Sequence, residues 1–575
     1  MDNSSAAMFL ESLLDRIELE PQTDKRKLSG YLSSHEISAL ERALELLKAQ
    51  SQVEPTGSLP DSSKPTDEDL NNSQRGPDKG KMDLSEKHNV DIDISSIEID
   101  KPVDEDIILC LDFGTAMSKA FATKIKDGEV VSTLSLKLGS RVSKSGLIYP
   151  VPSSIWIAND GLISFGESAL VLSLQDHSGG RQRFDSPKKE LIQGLVEATP
   201  DKSPLSKEIN PTSVPFSKGD AITLYLGFLT YLACAELQEK YGLSRYVRRR
   251  FALPSWEESR RKWGEQMLAT MLAKAQILAD TFQGYWEKGI PIGEAKAVLD
   301  EINTYKKLPN FLIDQGVTEP LAVATSRLRR DEDTRGLVMV VDVGAGTSDF
   351  AMFVVSEIPN RNIFSAWPIH GCNKSLHQAG DTLDIALQLS ILEKARIDTS
   401  NADYNYVIAN LRMQLRALKE SLFREKQCTF TLSNGDRGII KLDEFLNHPA
   451  VLRFSMLLAD TFQELLNSTN KSFFERFEGS GITVVLTGGG ATLPMVTELA
   501  NGVCNINGYR LKKQQALLVP DEFSQDKELR YIYPQLAVAI GGAQPNLIKE
   551  SDAIKEMPGM PNPGWKIGKV QLSGT

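Results

Sequence analysis

Two stretches of the sequence decide the fold: ILCLDFGT over residues 108–115 and MVVDVGAGT over residues 339–347. Each is a short apolar strand that ends in an aspartate, followed by a turn of glycine and threonine and then by a second apolar run. A strand–turn–strand hairpin of this kind directs backbone N–H groups to one point, which suits phosphate binding. The aspartate at each strand end, Asp112 or Asp342, is suited to hold Mg²⁺ directly or through water. Two copies, 230 residues apart, predict a duplicated fold that closes on ATP from both sides.

A third glycine turn follows later in the chain. The stretch ITVVLTGGGATLP over residues 482–494 predicts a buried strand, a turn at Gly488, Gly489 and Gly490, and the start of a helix. Because glycine has no Cβ, a flat ligand can lie against the backbone of such a turn. Since it follows two Asp-Gly-Thr hairpins, we interpret this turn as the adenosine side of the site.

Strand and helix patterns alternate between the motifs, which is typical of an α/β fold. Strand-like runs cover residues 107–112, 119–125, 147–157, 338–342, 350–355 and 482–487. Helical periodicity covers residues 219–241, 256–283, 376–396 and 403–424. The sequence therefore predicts an α/β protein in which the hairpins belong to separate sheets.

The ordered set of motifs resembles the actin/hexokinase/heat-shock ATPase superfamily, and most closely the ATPase domain of the DnaK-type heat-shock chaperones. The resemblance covers about residues 107–550 and includes TEPLAVA from Thr318, FALP ending at Pro254 and PQLAVAIGGA from Pro534. It implies two actin-like, ribonuclease-H-like lobes that close on a nucleotide cleft and hydrolyse ATP slowly with Mg²⁺. Only 33 residues follow Gly542, so the client-binding domain of that family is not expected here.

The resemblance also implies roles for individual residues. Asp112 and Asp342 would hold hydrated Mg²⁺, and Lys188 or the neighbouring Lys189 would touch the γ-phosphate. The residues implied to act on the γ-phosphate or the attacking water are Lys188, Glu319, Asp342, Thr347 and Asp349. Phosphoryl transfer of this type needs positioning and charge neutralisation, which these residue types provide.

The implied nucleotide contacts come from the three turns and from one helix. They are Asp112, Gly114, Thr115, Ala116, Gly344, Ala345, Gly346, Thr347, Gly488, Gly489 and Gly490, with Lys419 at the adenosine. Glu420 stands where the family commonly has an arginine beside the adenosine lysine, which predicts weaker nucleotide binding than in the chaperones.

Composition and the family resemblance together divide the chain into six predicted segments. These are a helical N-terminal segment (1–50), an acidic disordered linker (51–105), a first ATPase lobe (106–336), a second ATPase lobe (337–536), a closing helix that returns to the first lobe (537–550) and an extended tail (551–575). Residues 51–106 hold fifteen Asp and Glu against six Lys and Arg, a net charge of −9 out of −11 for the chain. A segment so polar and so poor in aromatics cannot bury enough apolar surface to fold alone.

The bulk properties restrict the partners. The body outside the linker is nearly neutral, which argues against nucleic acid. Five scattered cysteines without a C-x-x-C pair indicate reduced thiols, and no histidine spacing suggests a transition-metal site. No apolar run reaches the roughly 18 residues of a membrane span, so we expect a soluble, cytoplasmic protein that does not bind membranes.

Three functions agree with these patterns. The first is a chaperone-like ATPase that acts as a nucleotide-dependent conformational switch on a dedicated protein partner, reached through residues 1–105. The alternatives are an actin-like ATPase that forms filaments and a small-molecule kinase of the same superfamily.

Overall fold

The computed structural model describes residues 17–19, 26–28, 90–142, 148–176, 180–193, 203–253, 258–328, 336–358, 363–477, 481–506 and 508–557. The chain divides into two compact units, residues 1–87 and 88–575. In the first unit the described residues are two antiparallel strands, β1 (Ile17–Leu19) and β2 (Arg26–Leu28). A helix pair was expected within residues 1–50, whereas the described residues of that segment are strands; only Ile17–Leu19 alternates in polarity, which is the strand period. The remaining part of that segment and residues 51–89 of the predicted linker lie outside the described residues.

The second unit is mixed α/β, as predicted, and its first half comprises residues 90–328. The described strands of this half are β3 (Asp104–Asp112), β4 (Met117–Lys126), β5 (Glu129–Ser135), β6 (Val151–Pro152), β7 (Ser154–Ile157), β8 (Leu162–Phe165), β9 (Phe184–Asp185), β10 (Val247–Leu253), β11 (Ile290–Pro291) and β12 (Ile313–Thr318). Its described helices are α1 (Ser95–Glu98), α2 (Leu138–Val142), α3 (Gly166–Gln175), α4 (Pro187–Gln193), α5 (Lys218–Tyr241), α6 (Glu258–Thr281), α7 (Ile292–Thr304) and α8 (Glu319–Arg327).

The second half comprises residues 336–557. Its described strands are β13 (Gly336–Val343), β14 (Ser348–Ile358), β15 (Ile363–Leu376), β16 (Gln427–Thr431), β17 (Arg437–Lys441), β18 (Ile482–Thr487), β19 (Val503–Ile506) and β20 (Tyr509–Gln515). Its described helices are α9 (Gly380–Ala395), α10 (Tyr404–Glu425), α11 (Leu442–Leu446), α12 (Pro449–Ser468), α13 (Lys471–Arg476), α14 (Pro494–Leu499), α15 (Asp521–Ser524) and α16 (Lys527–Gly542).

The main sheets of the two halves have the same arrangement of strands. In the first, the order is β12-β10-β3-β4-β5; β3, β4 and β5 are antiparallel neighbours, whereas β10 and β12 run parallel to β3. In the second, the order is β15-β14-β13-β18-β20-β19; β13, β14 and β15 are antiparallel, whereas β18 and β20 run parallel to β13. In both sheets the hairpin aspartate lies at the C-terminal end of the corresponding strand, as the last residue of β3 and the last but one of β13.

A buried apolar cluster joins the two sheets. It contains residues of β3, β13, β18, α8 and α16, for example Cys110, Val338 and Ile540. Helices α8 and α16 pack in close contact within this cluster, because a Cβ added at Gly541 would lie 1.7 Å from the carbonyl oxygen of Ala322. Helix α16 contacts β3, and helix α8 contacts β13. The two helices therefore connect the sheets beside both hairpin strands.

Three predicted boundaries differ from the observed ones. Residues 90–105 were predicted to be linker, but they contain α1, and Val90, Ile92 and Ile97 pack against the core of the first half because they provide apolar surface to bury. The closing helix begins at Lys527 rather than at residue 537, since the carboxylate of Asp526 caps its first turn. In the predicted tail, Ile554 forms a bridge with Ile369, and residues 558–575 lie outside the described residues.

Helix α5 meets the length and composition of a membrane span, and it is the one such helix among the described residues. However, 89% of its most apolar window is buried inside the protein. A core helix of this kind passes the same test, so the helix carries little weight as a membrane signal.

Candidate active site

The two hairpin motifs place their charged side chains in the same relative positions. In the first, Asp112 pairs across the hairpin with Lys119, and in the second Asp342 pairs with Asp349. The spacing is seven residues in both hairpins. Lys119 Nζ lies 3.0 Å from Asp112 Oδ2, and both side chains are nearly buried. The first hairpin therefore holds an ion pair where the second holds two carboxylates.

The two glycine turns approach one another. A Cβ added at Gly346 would lie 2.8 Å from the Oγ1 atom of Thr115, so the second turn approaches the first more closely than any other residue type would permit. Gly114 is equally constrained, because a Cβ there would lie 2.0 Å from the carbonyl oxygen of Met117. In the second turn the amide of Gly344 donates to the carbonyl of Thr347 at 2.9 Å, and the Thr347 side chain is half-buried. The turn residues of the two hairpins therefore lie next to one another.

Lys188 and Glu319 form a buried ion pair beside these turns. Lys188 lies in the first turn of α4 and Glu319 is the first residue of α8; the Lys188 ammonium donates to the Glu319 carboxylate. Only 5% of the Lys188 side chain is exposed. Burial lowers the pKa of Lys188, but the carboxylates of Glu319, Asp112 and Asp349 together raise it above its usual value. The ammonium form is therefore kept at neutral pH.

The carboxyl groups of Glu319 and Asp342 have raised pKa values. Burial is the main cause for both, and Asp349 and Asp112 raise them further by like charge. The pKa of Asp342 is raised well above its usual value, with Glu319 as its strongest electrostatic neighbour. Asp349 itself is buried and accepts a hydrogen bond from the hydroxyl of Ser375.

This buried cluster has an excess of negative charge. It contains the carboxylates of Asp112, Glu319, Asp342 and Asp349 and the ammonium groups of Lys119 and Lys188. Its carboxylates suit a hydrated Mg²⁺ ion, which usually binds one or two carboxylates and keeps several waters. Among the described residues no three Asp, Glu, His or Cys side chains are placed to ligate one ion.

The third glycine turn packs against the second hairpin and α16. Gly488 donates its amide to the carbonyl of Pro534 in α16, and Gly490 donates to the carbonyl of Val343. A Cβ at Gly488 would lie 2.3 Å from Asp342 Oδ1, so this glycine is needed to accommodate the aspartate. A Cβ added at Gly489 would meet no atom within 4 Å. The turn therefore lies next to Asp342, as its proposed role requires.

The N-terminus of α9 is bonded to the second turn. Gly380 donates its amide to the carbonyl of Gly344 at 3.1 Å, and Asp381 donates to the carbonyl of Ala345 at 2.8 Å. Lys419, on α10, donates to the carbonyl of Gly380 at 2.9 Å and to the carboxylate of Asp384 at 2.8 Å. The lysine thus lies at the start of α9, next to the turn.

Three contacts link the two halves around the turns. Arg416 Nη1, on α10, donates to the carbonyl of Ala116 at 2.8 Å, and Glu420 accepts from the Nε atom of the same arginine at 3.1 Å. Lys189 Nζ lies 3.7 Å from Asp381 Oδ2, and 43% of its side chain is exposed. Arg183 donates to the carbonyl of Met413 at 3.5 Å. Of the two neighbouring lysines, it is Lys188 that lies within the carboxylate cluster.

Sequence reasoning did not single out four of these residues. They are Lys119, Asp381, Asp384 and Arg416. The partner of Asp112 could have been found from the repeat, because Asp112 and Lys119 have the same spacing as Asp342 and Asp349. The acidic pair on α9 is spaced by three residues, which places both carboxylates on one helix face.

No protein-family model matches the chain. The search of curated proteins gave no significant relative.

Proposed function

We propose that this protein is a chaperone-like ATPase with two actin-like lobes, and that it binds Mg²⁺ and ATP and hydrolyses ATP slowly. The two lobes would be the first half, residues 90–328, and the second half, residues 336–557. Their main sheets share strand order and direction, which supports a duplicated ribonuclease-H-like fold. The corresponding strands β3 and β13 carry the hairpin aspartates, so a duplication accounts for both motifs at once.

One observation carries the proposal. The buried carboxyl groups of Glu319 and Asp342 have raised pKa values, and they belong to the same part of the fold as two glycine turns that approach each other at Gly346 and Thr115. Strongly perturbed pKa values cluster at functional sites, so this arrangement supports a functional role. A nucleotide phosphate chain and its cation combine the two chemistries that the turns and the carboxylates provide.

The roles follow from the charges. Lys188, kept as an ammonium ion, would stabilise the charge on the transferred phosphoryl group. Glu319, whose pKa is raised, and the buried Asp349 would orient the attacking water and take up its proton. Thr347 would contribute a hydroxyl at the edge of the turn. Mg²⁺, held through water by Asp112 and Asp342, would neutralise phosphate charge. Lys419 and the turn at Gly488, Gly489 and Gly490 would contact the nucleoside.

The site is also connected to a part of the fold that could report its state. Glu319 begins α8, and α8 packs at backbone distance against α16 through Ala322 and Gly541. The bond from Arg416 to Ala116 links the lobes at the first turn. We propose that loss of the γ-phosphate changes the contacts of Glu319 and loosens this arrangement, as in other nucleotide switches.

The switch would act on a dedicated protein partner. Residues 1–87 form a compact unit of their own, and no other long segment of the sequence lies outside the ATPase body. We therefore propose that residues 1–105 contain the partner-binding region. A pull-down that compares the full chain with a chain lacking residues 1–87 tests this step, and equal recovery of partners by both would contradict it.

Steady-state ATP turnover tests the enzymatic proposal. The full chain should hydrolyse ATP with Mg²⁺ and lose this activity with EDTA. Asp342→Ala and Thr347→Ala should each reduce kcat by about a hundredfold, the usual cost of losing one transition-state contact. Arg453→Gln, at an exposed position of α12, is the control and should retain full turnover. Unchanged turnover in both site variants would exclude the proposed site.

A further inference from the structure

We propose that a cavity at the C-terminal end of α16 binds a small phosphate-bearing molecule. The cavity has a volume of about 520 Å³, and its polar lining includes Arg248, Arg250, Asp314, Gln315, Asn546 and Lys549. This volume lies within the range of small-molecule sites, about 300–1,000 Å³. It exceeds what a free oxyanion needs, so an organic group attached to the phosphate can also be accommodated.

The strand pattern builds the cavity wall. Arg248 and Arg250 lie two residues apart on β10 and therefore on one face, whereas Arg249 between them is fully buried on the other. The neighbouring strand β12 carries a bulge at this point, because Arg249 pairs with Ile313 and Phe251 pairs with Gly316. The two residues of the bulge, 314 and 315, both oppose Arg250. Bulges of this type often redirect side chains towards a site.

The charge of the lining favours an anion. Three cations line the cavity against one carboxylate, and that carboxylate, Asp314, already accepts from Arg250 Nε at 2.9 Å. Arg250 is 94% buried and also donates through Nη1 to the carbonyls of Gly542 and Gln544. Within the described part of the chain, Arg248 has no hydrogen-bond or ion-pair partner. Its guanidinium and the exposed Lys549 are available to a ligand.

The residue types favour an oxyanion. Guanidinium groups present N–H donors in a planar fork that matches phosphate and carboxylate oxygens. Two arginines on one strand face suit a group with several equivalent oxygens. Arg250 is fixed by Asp314 and the end of α16, and Arg248 interacts electrostatically with Glu105. We therefore assign the cavity to a phosphate ester rather than to a neutral ligand.

The cavity is separate from the proposed nucleotide site. Arg248 pairs with Ile108 in the sheet, four residues before Asp112, which corresponds to about 13 Å along the strand. The inference therefore does not depend on ATP binding. It does place the ligand at the end of α16, where Arg250 bonds to the last carbonyls of the helix.

Isothermal titration calorimetry with inorganic phosphate and with glycerol 2-phosphate tests the inference, in buffer free of Mg²⁺ and nucleotide. The wild-type chain should bind at least one probe saturably. Arg248→Gln and Lys549→Gln should each weaken binding about tenfold to a hundredfold, the value of one charged hydrogen bond. Arg453→Gln removes the same charge from a distant helix and should leave the affinity unchanged.

Every outcome is informative. Asp342→Ala should bind the probes as tightly as the wild type does. If Asp342→Ala loses binding while Arg248→Gln keeps it, the phosphate binds at the nucleotide site and the inference is overturned. Absence of saturable binding to the wild type, or full affinity in both cavity variants, would also overturn it. Tighter binding of the ester supports an organic phosphate, and equal binding supports free phosphate. If Arg248→Gln fails to fold, Lys549→Gln, at an exposed position, still decides.

Discussion

Thr115 and Gly346 face each other from the two glycine turns. A Cβ at position 346 would lie 2.8 Å from Oγ1 and 2.9 Å from Cγ2 of Thr115. Heavy atoms that are not bonded normally keep about 3.5 Å between them. The size of one residue therefore sets how closely the two halves of the protein approach at the site.

Gly346→Ala should separate the turns. We expect the free energy of unfolding to fall by about 1–3 kcal/mol, which is the usual cost of overpacking, and ATP affinity to fall at least tenfold. Urea unfolding and calorimetry with ATP measure these changes. Gly293→Ala, where the added Cβ meets nothing within 4 Å, is the control and should match the wild type. Addition of Thr115→Gly to Gly346→Ala should recover most of the stability, and a lack of coupling would contradict the close approach.

Lys188→Met should be far more harmful than Lys189→Met. The first variant leaves Glu319 buried without its cation, which should cost about 3 kcal/mol of stability and reduce kcat at least a hundredfold. The second removes a largely exposed contact to Asp381 and should cost less than about 1 kcal/mol. Urea unfolding and ATP turnover separate the two lysines.

A double variant provides the control for this comparison. Lys188→Met with Glu319→Gln removes both charges, so it should recover stability but not turnover. Equal effects of the two single lysine variants would contradict the placement of Lys188 in the cluster.

Asp342→Asn should stabilise the protein in the absence of ligands. The raised pKa of Asp342, due first to burial and then to Glu319, means that the native state binds a proton more tightly than the unfolded state. The contribution of this group to stability is complete at pH values below its pKa in the unfolded chain, near 3.8. It is lost as the pH rises through the raised pKa of the native state. At pH 7.5 we expect the variant to gain about 1–2 kcal/mol.

The pH dependence distinguishes this effect from a general one. The difference between Asp342→Asn and wild type should shrink towards pH 4, where both side chains are neutral. Asp460→Asn, at an exposed position of α12, makes the same change in net charge and should show no such trend. Thermal unfolding between pH 4 and pH 8 gives the result, and a constant difference would argue against the raised pKa.

The boundary of the second compact unit predicts the effect of truncation. A chain that begins at His88 should keep the stability of the full chain, because it retains the packed residues Val90, Ile92 and Ile97. A chain that begins at Asp104 loses these residues. Its free energy of unfolding should be lower by about 2–4 kcal/mol, the value of two to three partly buried apolar side chains. Thermal unfolding measures both, and equal stability would show that this segment does not contribute.

Local pattern was enough to predict the hairpins and the longest helices. The apolar run before Asp342 and the periodicity of residues 219–241 match β13 and α5 closely, because burial on both faces leaves an uninterrupted signal. The start of α16 was missed by ten residues, since most side chains of its first turn are exposed and give no apolar period. The link from Arg416 to Ala116 spans 300 residues and depends on tertiary packing that no local window contains.

The contact between α16 and the first sheet has a consequence for how the chain is made. The Thr123 hydroxyl donates to the carbonyl of Ala543, 420 residues later, and Gly542 lies against Cys110. A ribosome delivers the N-terminal sheet long before it delivers these last residues. Until then the face of β3 that carries Cys110 is without its covering helix. The buried cluster between the two sheets, to which Cys110 belongs, therefore cannot be completed before α16 has been synthesised.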